Sequence, residues 1–151
     1  MFGCSTSPDN GLPFETDDFV EVYKHFGKRR KFHPVLGLRP RFHKSISIQL
    51  KEGAKVYSVY DGVVVSVPKV DRPLYGFGKS IIIKHQDSIA IRYHHLNDIY
   101  VKEGEQLKKW DDIGLSGNTG LITVNGVGIQ VHINDSLVNP ADHLPALAEL
   151  E

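Results

Sequence analysis

A chain of 151 residues is one domain long and can bury a core of its own. Lysine plus arginine number 18 and aspartate plus glutamate also 18, so no global field directs the protein to nucleic acid or to an anionic surface, and any partner is recognised locally. No apolar run is long enough to cross a membrane as a helix, and the single cysteine, Cys4, excludes an internal disulfide.

In chain order, residues 1–18 read as a flexible N-terminal tail that opens on the polar, turn-rich MFGCSTSPDNG, and residues 19–151 as the folded domain. In FGC followed by STS, Cys4 has the setting of a lipid-bearing cysteine, although no apolar stretch stands ahead of it; the alternative is an exposed thiol. In DDFVEVYKHF the apolar residues Phe19, Val22, Tyr23 and Phe26 fall at helical spacing behind Thr16 and Asp17, which predicts a short helix, while Val20, Val22 and Phe26 fit a strand less completely. GKRRK, 27–31, is a short basic run of the kind that usually stays solvated.

From there the chain is a series of short β-rich runs separated by glycine turns. The runs are 45–50, 55–60, 62–67, 79–85, 88–96 and 128–133, and their rhythm predicts a mainly β, antiparallel fold with few short helices. SGNTG, 116–120, reads as a hairpin turn, because it lacks the strand-to-helix context of a phosphate loop. The C-terminal NPADHLPALAELE reads as a turn followed by a short helix that Pro145 can interrupt. Trp110 is assigned to packing, and His25, His33, His85 and His143 to surface or capping positions.

The stretch VGIQVHIND alternates apolar and polar residues as a strand does, which puts Gln130 and His132 on one face. Two histidines at that spacing would make a metal or proton-transfer site, and here the first of the pair is a glutamine. Taken together, residues 26–65, YGFGKSIIIKH, RYHHL, VKEGEQLKKWDDIGLSGNTG and VNPADHL resemble, in that order, the lysostaphin-type (LytM-like) zinc endopeptidases that cut peptidoglycan cross-bridges. The resemblance implies that family's β fold, known as the duplicated hybrid motif, with a groove across a central antiparallel sheet. It also implies cell-wall substrates and an extracytoplasmic location.

In that family an H-x-G-x-D stretch supplies zinc with a histidine and an aspartate, and the second histidine of an H-x-H stretch supplies the third ligand. Carried over residue by residue, His43 matches the first ligand, Ser45 stands at the glycine and Ser47 replaces the aspartate. His132 is matched to the third ligand and Gln130 to the first histidine of H-x-H, which with the histidine of Y-x-H-L acts on the zinc-bound water. Tyr93, His95 and Leu96 match Y-x-H-L, with Tyr93 expected in the groove; His94 is expected on the opposite face by strand alternation.

Two ligands are fewer than the three of a hydrolytic zinc site, and a neutral serine is a poor substitute for a carboxylate. Glutamine cannot take a proton, which leaves general-base work to His95 alone. The expectation is a degenerate endopeptidase domain without hydrolase activity and without a resident zinc, acting on peptidoglycan as a binding module or on an envelope protein as an interaction or regulatory module. An active zinc metalloendopeptidase, or weak metal binding by His43, His95 and His132, stays open as the alternative.

Overall fold

The computed structural model describes residues 11–33, 37–68, 76–86, 88–120 and 122–150, with the side chains of 28–41 left aside. Cys4 lies outside the described residues. In chain order the elements are a 3-10 turn at Thr16–Asp18, then β1 (Phe19–Lys24), β2 (Gly27–His33), β3 (Gly37–His43), β4 (Ile46–Leu50), β5 (Lys55–Tyr57), β6 (Gly62–Ser66) and β7 (Lys79–His85). They continue with β8 (Ile89–Leu96), β9 (Asp98–Ile99), β10 (Gln106–Leu107), β11 (Asp112–Leu115), β12 (Gly126–Ile133), β13 (Ser136–Val138), α1 (Pro140–His143) and α2 (Pro145–Ala148). The mainly β, antiparallel expectation holds, and so does the broken helix after the Asn-Pro turn.

The principal sheet runs β1-β4-β12-β8-β7-β6-β10, with β13 beside the far end of β12. A second sheet runs β5-β11-β9, and β2 and β3 form a hairpin. Alternation divides the principal sheet into two faces. One face carries Ile46, Ile48 and Leu50 of β4, Val127, Ile129 and Val131 of β12, Ile91 and Tyr93 of β8, and Ile81 and Ile83 of β7, all within 2% of full burial. These residues join Val56, Ile113 and Leu147 in one core.

The helix expected over residues 19–26 is a strand instead. β1 pairs with β4 through Phe19↔Leu50, Val22↔Ile48 and Lys24↔Ser47, with register breaks after Phe19 and after Val22. Each break adds a residue to the period of two, so the core-facing residues Phe19 and Val22 end three apart, as on a helix. The packed chain also begins ahead of the expected boundary at residue 19. Leu12 and Phe14 are buried, Phe14 stacks on Phe19 at 6.2 Å between ring centroids, and the Tyr57 amide donates to the Pro13 carbonyl. Residues 11–18 therefore pack with the domain.

SGNTG is not a hairpin turn. It leaves β11 of the small sheet and enters β12 of the large one, held by a Gly117↔Gly126 bridge. Among the described residues no helix is long and apolar enough to cross a membrane.

Candidate functional site

The polar face of the principal sheet carries the odd residues of β4 and the even residues of β12 and β8. The ladders β4–β12 and β12–β8 place Ser47, Gly128 and His94 in one row across three strands. Lys24 joins that row from β1. A cavity of about 200 Å³ opens over it, lined by Lys24, His43, Ser47, Phe77, His94 and His95 among others. Larger hollows of about 360 and 570 Å³ lie beside Asp61 and His85. The His85 ring nitrogens are already engaged there, Nδ1 at 3.0 Å from the Asp61 carbonyl and Nε2 at 3.3 Å from the Tyr93 hydroxyl, so the smaller cavity is the candidate site.

His94 and His95 both line the cavity, against the expectation that they point apart. The β7–β8 ladder passes from Lys79↔Leu96 to Ile81↔Tyr93, so His94 and His95 together oppose Ser80. This is a β-bulge, and His95 takes the left-handed conformation at φ 67°. Alternation is suspended there, and the two imidazoles meet edge to face with centroids 4.3 Å apart.

His95 is fixed by the loop that follows β11. Its Nδ1 donates to the Thr119 carbonyl at 2.8 Å, because a carbonyl can only accept, which leaves a lone pair on Nε2. The Thr119 hydroxyl donates to the Leu96 carbonyl at 2.6 Å and accepts from the Lys79 amide at 3.0 Å. Burial is the main cause that pushes the His95 pKa down to about 4, with Lys24 adding to it and the Thr119 bond opposing. Burial drives His94 well below the ordinary histidine value, helped by His95, Arg92 and Lys24. Both rings are neutral at pH 7.

Both ring nitrogens of His94 are buried without a hydrogen-bond partner. The ring instead packs edge to face on Phe77 at 5.0 Å, and the Arg92 guanidinium covers the Phe77 ring at 4.1 Å. A Cβ built on Gly128 would clash with the His94 ring, with Cε1, Nδ1 and Nε2 as its three nearest atoms. Glycine within a strand marks such a close approach.

The remaining expected site residues are placed elsewhere. Gln130 pairs with Arg92 and His132 with Ala90, so they share the polar face but stand one and two pleats further along β12. At about 3.3 Å per residue, the backbone at His132 is about 13 Å from that of Gly128, and neither residue lines the cavity with His43. Tyr93 is not in the groove. It is fully buried in the core, accepts from the Val59 amide at 3.3 Å, and its phenol is pushed up by burial. His85, expected at a surface or capping position, is buried with it.

A zinc site of the expected kind needs three convergent ligands. Among the described residues no group of three His, Cys, Asp or Glu side chains could hold a metal ion. His43 and His95 line the cavity, but Ser47 is neutral, and the β12 position facing them is Gly128, which has no side chain. The residues present do not fit zinc. The sequence reading passed over Gly128 and turned His94 away from the groove. The pattern G-x-G at 126 and 128, a spacing of two within a strand, is the feature that points to them.

Residues 41–140 match Peptidase family M23. The chain belongs to peptidase family M23. It is 37% identical over 110 residues to the peptidoglycan DD-endopeptidase ShyA of Vibrio cholerae, covering 73% of this chain and 24% of that protein. It is 30% identical over 103 residues to the murein hydrolase activator NlpD of Escherichia coli, covering 68% of this chain and 26% of that protein. The crystal structure of a zinc-containing peptidase from Vibrio cholerae superposes with a TM-score of 0.71 at 32% identity, over 86% of this chain and 38% of that one. This M23 chain thus spans about a quarter of the length of these curated relatives.

Proposed function

We propose that this M23 domain is a non-catalytic, extracytoplasmic module that binds the cell wall or regulates an envelope partner. The observation that carries the proposal is the row Ser47–Gly128–His94. In the family's pattern the metal is held by an aspartate at position 47 and by the second histidine of H-x-H. The β12 residue that faces position 47 is Gly128, so H-x-H falls on Gly126 and Gly128 and both histidines are gone. Gln130 and His132, to which the sequence alone assigned them, lie beyond the cavity.

What remains are His43, the first ligand in the family's pattern, and His95, which lines the groove as a neutral, anchored hydrogen-bond acceptor. When bound in a complete site, zinc supplies an activated water; this groove offers one of its three ligands. A cavity remains over the row, and an extended peptide can be held by shape and hydrogen bonds without metal. The name of NlpD, a murein hydrolase activator, supports a regulatory role for the same fold. Cys4 is proposed as a lipid attachment point that would hold the module at a membrane.

Incubation of metal-free and zinc-supplemented protein with purified sacculi tests this. The expected result is that neither preparation releases soluble peptide-linked fragments, while the protein co-sediments with the sacculi or activates an added wall hydrolase. Release of fragments that depends on zinc and is lost in His43→Ala would overturn it.

A further inference from the structure

We infer that His94 is a built-in plug: its imidazole occupies the space that a ligand side chain from β12 would need, so closure of the metal socket is a steric fact as well as a loss of ligands. The inference rests on the reading that position 128 is where that ligand belongs. Three observations carry it. No side chain fits at 128 while His94 holds its place, since even a Cβ would clash with the ring. His94 is buried, with neither ring nitrogen hydrogen-bonded, so packing and not a polar network holds it there. His94 stands on the polar face by ordinary alternation with Arg92, directly opposite Gly128, and Phe77 backs its ring there.

Gly128 and His94 are therefore a complementary pair, in which the smallest residue on one strand makes room for a ring from the next. Moving the imidazole from position 94 to position 128 roughly conserves volume, which is the kind of exchange a packed interior tolerates. Moving it also releases the socket. Restoring the ligands at 47 and 128 is then insufficient for metal binding unless the ring at 94 is removed as well.

The test compares zinc titrations, by calorimetry on chelator-stripped protein, of S47D/G128H and S47D/G128H/H94A, with thermal unfolding of each followed by circular dichroism. The triple variant is expected to bind zinc at least about 100-fold more tightly than the double variant and to unfold at a higher temperature. Tight zinc binding by a folded S47D/G128H, with no further gain from H94A, overturns the plug. Should the double variant fail to fold, the pair G128A and G128A/H94A decides. G128A alone is expected to lower the unfolding temperature more than the same substitution does in the H94A background, and equal losses in both backgrounds overturn the inference. Wild-type protein that binds zinc tightly would instead defeat the non-catalytic reading, an outcome separate from either of these.

Discussion

At the scale of single residues the groove rests on side chains whose protonation and packing are fixed by burial. His95 is depressed from the ordinary histidine value to about 4, so the folded protein binds this proton less readily than the unfolded chain does. Between the two values the unfolded state carries more protons, and stability falls as pH drops from about 6.5 through about 4. His94 shifts in the same direction and adds to the loss. Unfolding temperature measured from pH 7 to pH 5, above the range where most carboxylates protonate, is expected to decline, and His95→Gln is expected to flatten that decline. A slope unchanged in His95→Gln would refute the assignment. Tyr93 gives a second residue-scale expectation. Its hydroxyl meets the Val59 amide and His85 Nε2 inside the core, so Tyr93→Phe leaves buried polar groups unpaired and should cost about 1–3 kcal/mol in denaturant unfolding.

At the scale of elements the bulge in β8 decides what the groove contains. His95 sits at φ 67°, a conformation a β-branched residue adopts only with strain. His95→Val should therefore destabilise by about 1–2 kcal/mol more than His95→Asn, because asparagine tolerates the left-handed region. Chemical denaturation of the two variants side by side measures the difference. The bulge also explains why part of the site was illegible. Strand periodicity, read from the sequence, located β4, β7, β8 and β12 and put Gln130 and His132 on one face of β12. The extra residue in β8 and the two breaks in β1 arise from how neighbouring strands meet, which a period of two does not encode. They turned His95 into the groove beside His94 and gave β1 the spacing of a helix.

At the scale of the whole molecule the core extends beyond the boundary that composition suggests. Polar, turn-rich residues surround Leu12 and Phe14, so the segment reads as tail; its burial comes from contacts with Phe19 and the Tyr57 amide that are distant from any local pattern. Phe14, fully buried, should cost about 3–5 kcal/mol on truncation to alanine, measurable by denaturant unfolding. A loss below about 1 kcal/mol would show that residues 11–18 do not belong to the folded unit. The family resemblance was legible because ordered landmarks cover most of the chain. The proposed register of H-x-H on β12 was not, because it rests on the pairing of Gly128 with Ser47.

The central claim is that the groove has no metal site. Its most direct test is a calorimetric zinc titration of the chelator-stripped wild-type protein, with His43→Ala and His132→Ala as controls. The account predicts no binding tighter than about 0.1 mM and no change in either control, since a pocket with fewer than three convergent ligands holds zinc poorly against water. Micromolar or tighter binding, abolished in His43→Ala, would contradict it.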